Sequence, residues 1–271
     1  MNITKTVSSA KLAKAKILPL VWLIGLLPFF SLQAETIRVA VASNFLKAAQ
    51  HLSKMFEAQS EHSIQISSGS SGKLYLQITQ GAPFDLFLSA DTQKPQQLVK
   101  NGFAASSTRK TYAIGKLTLW LKACTNASDL SILLSPEIKK IAIANPKLAP
   151  YGMASRQLLE KYQLWQKLEN KLIFPENISQ VAQMSKIGVV DAAFIATSNA
   201  ETLLSNEHSC LITLMTTDYQ PIEQQLVIVD NSNKKEITKF FVKFITSVQG
   251  QTLIKNMGYL LPDSGKMSQI E

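Results

Sequence analysis

Residues that commonly bind transition metals are scarce in this chain. Its 271 residues include only two cysteines and three histidines. Neither a CxxC nor an HxxxH spacing occurs, and His51, His62 and His208 are far apart in the sequence. A zinc site needs several such ligands close together. The sequence therefore predicts no zinc centre and no metal ion held directly by side chains.

Catalytic motifs are also missing, although one glycine-serine segment partly matches two of them. In Gly69-Ser70-Ser71-Gly72-Lys73, the lysine stands where a nucleophile elbow around Ser71 needs a glycine. A Walker loop needs serine or threonine after Gly-Lys, whereas Leu74 follows here. No histidine or pair of carboxylates accompanies the polar segments, so Ser43 and Ser71 have no candidate base. We therefore predict a protein that is not an enzyme.

The first 34 residues have the pattern of a secretory signal. They contain four lysines and no acidic residue, then an apolar run at 17–30, and finally the small residue Ala34. This run of 14 residues is short for a membrane-spanning helix, which needs about 20. The sequence predicts a signal peptide at 1–34, cleaved near Ala34, and a periplasmic mature chain. An uncleaved membrane anchor is the alternative.

Much of the positive charge belongs to this leader. Without its four lysines, the 28 basic residues fall to 24 against 19 acidic ones, and the net charge falls from +9 to about +5. The remaining lysines are scattered, and no aromatic residues are interleaved with them. Nucleic-acid-binding surfaces combine clustered basic residues with stacking side chains. We therefore expect no nucleic-acid partner.

The two cysteines leave two possibilities open. An exported protein folds in an oxidising compartment, which favours a disulfide between Cys124 and Cys210. Two free, buried thiols are the alternative, and the sequence is compatible with both.

Strand-like and helix-like patterns alternate along the mature chain. Such alternation is typical of α/β proteins with parallel sheets. Residues 45–56 show the clearest helix, because their apolar side chains share one face and their polar side chains the other. A helix pair interrupted near Gly250 is predicted at 236–257. The predicted strands are 36–41, 63–68, 84–89, 117–121, 140–144, 172–174, 192–196, 211–215 and 226–229.

Four short polar segments stand where a predicted strand ends and a helix begins. The first turn of a helix exposes unpaired backbone N–H groups and the positive end of a dipole equivalent to about half an elementary charge. Each segment alone is typical of an ordinary helix cap. Together they can bind a small oxyanion without lysine, arginine or metal. The segments are 42–45, 69–72, 150–152 and 177–179.

An ordered set of motifs resembles the ModA-type molybdate-binding proteins of ABC importers. The similarity spans nearly the whole mature chain. The matching segments are ASNFL at 42–46, SSGSSG at 67–72, GAPFD at 81–85, SAD at 89–91, TYAIGKL at 111–117, ANP at 144–146 and APYG at 149–152. The resemblance implies a receptor that captures molybdate or tungstate and delivers it to a membrane ABC permease. It implies no cofactor besides this ligand, and a monomer.

The resemblance also implies an α/β, two-lobed type II periplasmic binding protein fold. Each lobe is expected to be a mostly parallel sheet flanked by helices. We expect lobe I at 35–116 with 227–263, lobe II at 117–226, and a loose C-terminal tail at 264–271. The two hinge crossings are expected near 115–119 and 224–228.

In the family that the chain resembles, backbone N–H groups and hydroxyls at helix starts hold the oxyanion. Carried onto this sequence, these positions are Ser43, Asn44 and Ser71 from one lobe and Tyr151 and Ile178 from the other. Some members also carry a tyrosine in the segment matching 194–197. That tyrosine is absent here, so the chain is more similar to the subgroup that combines Ser/Thr-Asn with Pro-Tyr-Gly.

The choice among oxyanions follows from hydrogen bonding. A dianion that carries no proton at neutral pH offers only acceptors, so a site made of donors suits it. Phosphate usually keeps a proton and needs an acceptor, and only Glu176 stands beside the helix starts. Phosphate is therefore ranked below molybdate, tungstate and sulfate. The alternatives are a receptor for sulfate or another oxyanion, or an enzyme or signalling domain on the same bilobal fold.

Overall fold

The computed structural model describes residues 1, 2, 4, 34–124, 129–203, 209–230 and 232–262. The predicted signal peptide lies outside these residues except for its ends, and the predicted tail at 264–271 lies outside them entirely. The chain divides into the units Met1–Gln33 and Ala34–Glu271, and the sheets and helices belong to the second unit. None of the helices in the described ranges is long and apolar enough to cross a membrane.

The first sheet has five strands in the order β2-β1-β3-β10-β4. Strands β2, β1 and β3 are parallel, since β1 pairs in parallel with both β2 and β3. Strand β10 is antiparallel to its neighbours β3 and β4. The strands are β1 Thr36–Ala42, β2 Ser63–Gly69, β3 Leu86–Leu88, β4 Lys110–Gly115 and β10 Ile222–Ile228.

The second sheet repeats this arrangement with the strand order β7-β6-β8-β5-β9. Strand β6 is parallel to β7 and β8, whereas β5 is antiparallel to β8 and β9. The strands are β5 Leu117–Leu121, β6 Ile141–Ala142, β7 Leu172–Ile173, β8 Ala192–Ala196 and β9 Cys210–Thr213.

Seven α-helices in the described ranges flank the two sheets. Helix α1 buries Ala48, Ala49, Leu52 and Phe56 against the first sheet, as its apolar stripe predicts. The pair α6 and α7 adds Phe241, Ile245 and Ile254 to the same core. The helices are α1 Leu46–Glu57, α2 Ser71–Thr79, α3 Gln93–Lys100, α4 Pro150–Lys161, α5 Ile178–Lys186, α6 Lys235–Ile245 and α7 Val248–Asn256.

Short 3-10 helices complete the secondary structure of the described residues. One of them, Ser43–Phe45, leads directly into α1 and carries two of the predicted site residues. The others are Ser106–Thr108, Leu130–Leu134, Glu169–Lys171, Thr197–Leu203 and Thr216–Asp218.

Both sheets are mixed, but four of the five strands in each run in the same direction, so the expectation of a mostly parallel sheet in each lobe is confirmed. In each sheet, the antiparallel pairings involve the strands next to the connections between the sheets. Strand β4 ends at Gly115 and β5 begins at Leu117, so the chain changes sheet there. It returns between β9 and β10, and β10 then runs against β3 and β4. Strand β10 in the first sheet and strand β5 in the second therefore run opposite to the other four strands of their sheets.

The two crossings differ in how well the sequence located them. The first lies at Gly115–Leu117, within the predicted stretch 115–119. The second was predicted near 224–228, and this was wrong, because β10 already pairs with the first sheet from Ile222 onward. Residues 222–226 therefore belong with the first sheet and not, as predicted, with lobe II. The remaining lobe limits stay predictions.

Cys124 and Cys210 form a disulfide, which resolves the alternative that the sequence left open. Their Cα atoms are 5.1 Å apart although the residues are 86 positions apart in the sequence. The bridge follows from strand pairing, since Cys210 lies opposite Leu121 in the β5–β9 ladder. It ties the edge strand β9 to the residues just after β5.

Candidate oxyanion-binding site

Four helix starts meet at one small cavity between the two sheets. Its volume is about 10 Å³, which is on the scale of one water-sized sphere. All five residues predicted to bind an oxyanion line it, although their binding role stays a prediction. The lining residues are Ala42, Ser43, Asn44, Gly69, Ser70, Ser71, Ala90, Ala149, Pro150, Tyr151 and Ile178.

The first-sheet half of the cavity is built by two neighbouring parallel strands. Ala42 at the end of β1 is paired with Gly69 at the end of β2. Because both strands end at the same edge, the helical turns that follow them begin side by side. Ser43 and Ser71 are consequently both buried at the cavity, with 7% and 1% of their surface exposed.

The second-sheet half is built by the starts of α4 and α5. Helix α4 begins at Pro150, a residue favoured at the first helical position because it lacks the N–H that would remain unpaired. Helix α5 begins after Asn177, whose side chain accepts a hydrogen bond from the N–H of Gln180 at 3.1 Å. The N–H of Asn145 donates to the carbonyl oxygen of Pro175 at 2.7 Å. This bond holds together the two segments that lead into α4 and α5.

The two adjacent serines of the glycine-serine segment have different roles. Ser70 is the N-cap of α2, and its Oγ accepts a hydrogen bond from the N–H of Lys73 at 3.4 Å. Ser71 Oγ accepts a hydrogen bond from the N–H of Ala90 at 2.9 Å. Because that bond occupies a lone pair of Ser71, the hydroxyl proton is left to donate toward the cavity.

The side chains of Asn44 and Tyr151 are directed away from the cavity. Asn44 Nδ2 donates to Gln224 Oε1 at 2.9 Å and to the hydroxyl of Tyr259 at 3.4 Å. The Tyr151 hydroxyl accepts a hydrogen bond from Gln224 Nε2 at 3.4 Å. The backbone N–H groups of both residues lie in the first turn of a helix, where N–H groups lack partners within the helix.

Charged side chains are absent from the cavity lining in the described part of the chain. Glu176, the acidic residue just before the start of α5, forms a salt bridge with Lys73 at 3.0 Å and does not line the cavity. Burial is the main cause that raises the pKa of Tyr151 well above 10, so its hydroxyl stays neutral at physiological pH. The cavity is thus lined by neutral donors.

Two other acidic residues have structural roles. Asp91 Oδ1 accepts a hydrogen bond from the N–H of Lys94 at 2.8 Å and so caps α3. Asp85 accepts hydrogen bonds from the N–H of Arg38 at 2.7 Å and from the hydroxyl of Ser232 at 2.7 Å. Neither carboxylate lines the cavity.

Three contacts across the cavity rim hold its two halves together. The N–H of Gly72 donates to the carbonyl oxygen of Leu148 at 2.9 Å, and Ser179 Oγ donates to the carbonyl oxygen of Ser43 at 2.8 Å. The Lys73–Glu176 salt bridge is the third. Sequence reasoning did not identify Leu148, Gln224 or Tyr259, because their relation to the site exists only in three dimensions.

Known proteins resemble this chain over most of its length. A family profile described as bacterial extracellular solute-binding protein matches residues 37–260. The "Molybdate-binding protein ModA" of Rhodobacter capsulatus is 32% identical over 227 residues, which cover 84% of this chain and 89% of that protein. The protein of the same name from Azotobacter vinelandii is 33% identical over 228 residues, covering 84% and 90%.

Solved structures agree with these relatives. The structure of the periplasmic molybdate-binding protein of Azotobacter vinelandii superposes with a TM-score of 0.77 and 33% identity. The match covers 83% of this chain and 99% of that protein, so it includes both sheets and the cavity between them. The fold is therefore that of the periplasmic binding proteins. The family profile and the two relatives together show that this chain belongs to the ModA-type branch of the bacterial extracellular solute-binding proteins.

Proposed function

We propose that this protein captures molybdate or tungstate in the cavity between its two sheets and delivers it to a membrane ABC permease. The observation that carries the proposal is the convergence of four helix starts on one cavity lined by neutral donors. It is a binding protein and not an enzyme, as expected from its family. The relatives from Rhodobacter capsulatus and Azotobacter vinelandii are both named as molybdate-binding.

Hydrogen-bond chemistry supports a fully deprotonated dianion as the ligand. Each oxygen of such an ion accepts hydrogen bonds and donates none, which matches backbone N–H groups and the Ser71 hydroxyl. Phosphate keeps a proton at neutral pH and needs an acceptor. Since Glu176 is engaged by Lys73 outside the cavity, the site offers phosphate no carboxylate.

The number of donors is sufficient for tight binding. A hydrogen bond to a charged group contributes about 1.5 to 3 kcal/mol net. Roughly seven of them exceed the −8 to −12 kcal/mol of a micromolar to nanomolar complex. The surplus offsets the loss of hydration of the dianion and the cost of bringing the two halves together. Because donors come from both halves, the ligand stabilises the closed arrangement.

Delivery to a permease follows from this closed arrangement. A receptor whose surface changes when its lobes close can be recognised by a membrane partner only in the loaded form. Membership in an extracellular solute-binding family supports a periplasmic location, and the predicted signal peptide at 1–34 supports export. We propose that the mature protein acts as a monomer.

Calorimetric titration of protein freed of ligand tests the proposal. Molybdate and tungstate are expected to bind with a Kd in the micromolar to nanomolar range, and sulfate and phosphate at least 100-fold more weakly. Sulfate that binds as tightly as molybdate would replace the metal oxyanions by the sulfate alternative. Absence of binding by all four ions would refute an oxyanion receptor.

A further inference from the structure

Gln224 connects the two halves of the cavity through its side chain. It lies on β10, is fully buried and does not itself line the cavity. Its Oε1 accepts a hydrogen bond from Asn44 in the first-sheet half at 2.9 Å. Its Nε2 donates to the hydroxyl of Tyr151 in the second-sheet half at 3.4 Å. One amide thus contacts two residues whose backbone N–H groups face the proposed anion.

The orientation of the Gln224 amide is fixed by its neighbours. Its oxygen faces two donors, Asn44 Nδ2 and the hydroxyl of Tyr112, the latter at 3.2 Å. The Tyr112 hydroxyl also lies 3.0 Å from the carbonyl oxygen of Ser89, so its single proton is shared between two acceptors. A flipped amide would place N–H groups against Asn44 Nδ2. The Nε2 atom is therefore held toward Tyr151.

Asn44 is held in this network by both its side chain and its backbone. Its Nδ2 donates to Gln224 and to the Tyr259 hydroxyl, and its backbone carbonyl oxygen accepts a hydrogen bond from Tyr259 at 2.7 Å. Removing Gln224 would leave a buried donor of Asn44 unpaired. An unpaired buried donor is unfavourable, so the Asn44 side chain would move toward another partner. The helical turn at Ser43–Phe45, which contains Asn44, would then lose its fixed orientation.

The Tyr151 hydroxyl reaches the first hinge crossing. A Cβ atom added to Gly115, the last residue of β4, would lie 2.2 Å from the Tyr151 hydroxyl oxygen. The same Cβ would lie 2.9 Å from Gln224 Nε2. The absence of a side chain at Gly115 therefore makes room for Tyr151 and Gln224 to meet at the hinge.

We propose that Gln224 is a positioning residue that couples the two halves of the oxyanion site. This inference rests on the proposed function. When the lobes close, Tyr151 reaches Gln224, whose other end already holds Asn44. The contact fixes the backbone N–H groups of Asn44 and Tyr151 relative to each other. Gln224 contributes to affinity and touches no ligand atom.

A double-mutant cycle on molybdate affinity measures this coupling. Tyr151→Phe is expected to weaken binding by about 3- to 10-fold, the effect of one lost hydrogen bond. Gln224→Met is expected to weaken it at least as much, because it also removes the partner of Asn44. The double variant is expected to bind molybdate with the same affinity as the single variant that binds it less tightly, because both changes break the Gln224–Tyr151 hydrogen bond. Effects that multiply as if independent would overturn the coupling.

Two matched controls separate positioning from general damage. Gln225→Met removes an amide from the same strand whose Nε2 donates to Thr111 Oγ1 at 3.1 Å. Tyr162→Phe removes a hydroxyl next to the far end of α4 that donates to Asp218 at 2.8 Å. Both are expected to keep molybdate affinity within about twofold. An equal loss in Gln225→Met and Gln224→Met would contradict a specific role for Gln224.

The variant Gln224→Glu supplies an independent readout. An ionised carboxylate cannot donate to Tyr151 and repels the dianion, whereas the protonated acid can donate. The surrounding titratable groups are the phenols of Tyr112, Tyr151 and Tyr259, with Asp91 beyond Tyr112. Molybdate affinity of the variant is expected to rise at least tenfold from pH 8.5 to pH 6.5, while that of the wild type stays constant. A flat profile in the variant would argue against the Gln224–Tyr151 contact.

The outcomes distinguish this inference from the proposed function. Wild-type protein that binds molybdate, together with Gln224 and Tyr151 variants that bind it equally well, refutes the positioning role alone. Wild-type protein that binds no oxyanion refutes both. If Gln224→Met fails to fold, as shown by its thermal unfolding, Tyr151→Phe and Gln224→Glu still decide the question.

Discussion

The hydroxyl of Tyr259 donates a hydrogen bond to the carbonyl oxygen of Asn44 at 2.7 Å, across a separation of 215 residues. Tyr259 lies just beyond α7, and the next residue, Leu260, exchanges backbone hydrogen bonds with Ile114 on the strand that leads to the first crossing. The end of the described chain therefore supports both a helix start of the site and the hinge beside it.

The buried phenols predict a loss of stability at alkaline pH. Burial raises the pKa of Tyr259 to about 12, and burial also raises the pKa of Tyr112 and Tyr151 well above 10. In the unfolded chain these groups ionise near pH 10. Their contribution is thus complete below pH 10 and is lost as the pH rises from about 10 toward 12 and beyond, at up to about 1.4 kcal/mol per pH unit for each phenol.

Urea unfolding of wild type and Tyr259→Phe at several pH values checks this. The variant is expected to be less stable at pH 8 by about 1 kcal/mol, because Asn44 loses its partner. Its stability should fall less steeply above pH 10, since one buried phenol is gone. Equal slopes in the two proteins would contradict the contribution of Tyr259.

Substitution of Ser71 tests whether its hydroxyl donates to the ligand. Ser71→Ala removes one hydrogen bond to a charged group, and molybdate affinity is expected to fall by about 1.5 to 3 kcal/mol. Ser71→Asp places a negative charge at the cavity and is expected to abolish binding. Calorimetry measures both, with Ser68→Ala, an exposed serine on β2, as the control. Full affinity in Ser71→Asp would show that Ser71 is not a contact.

Gly72 is predicted to matter for closure more than for folding. Its N–H bonds the carbonyl oxygen of Leu148 across the rim, and an added Cβ would lie 3.0 Å from that oxygen. Gly72→Ala is expected to weaken molybdate binding severalfold. The ligand-free protein should unfold at the same or a slightly higher temperature, because alanine favours helix by about 1 kcal/mol.

A suitable control for this variant is Leu76→Ala, at an exposed position of the same helix α2. It should leave the affinity unchanged. Unaltered affinity in Gly72→Ala would mean that the Gly72–Leu148 contact is not needed in the ligand-bound form.

The disulfide is predicted to affect stability and not ligand affinity. Replacing Cys124 and Cys210 by serine removes a link that closes a long loop, which typically costs about 2 to 5 kcal/mol. Neither cysteine lines the cavity, so the Kd for molybdate should stay within about twofold. Chemical unfolding with and without reductant measures the first effect, and calorimetry the second. A large change in Kd would connect the bridge to the site.

The sequence was sufficient to predict those parts of the site that depend only on residues that are neighbours along the chain. Ser43 and Ser71 follow strands and precede helical turns, so their place at the edge of a sheet could be predicted from neighbouring residues. Ile178 was placed by resemblance, and it lines the cavity. The function followed from the order of the motifs and not from any single one.

Long-range relations were missed for a physical reason. Gln224 stands 180 residues from Asn44, and the fold that the resemblance implies placed a hinge crossing near it, whereas it lies on the buried strand β10. Strand β4 was missed at Lys110–Gly115, although the motif TYAIGKL overlaps it. Periodicity describes one segment at a time and contains no information about its partner, so neither the mixed sheets nor the Cys124–Cys210 pair could be derived.

The neutral lining of the cavity limits how the ligand can leave. Aspartate, glutamate, histidine, lysine and arginine are absent from the described lining. No side chain of this lining is therefore expected to change its protonation state between pH 5 and 9 and so weaken ligand binding. For the proposed site, we therefore expect that separation of the two halves releases the ion. Acidification of the surroundings to pH 5 is not expected to release it.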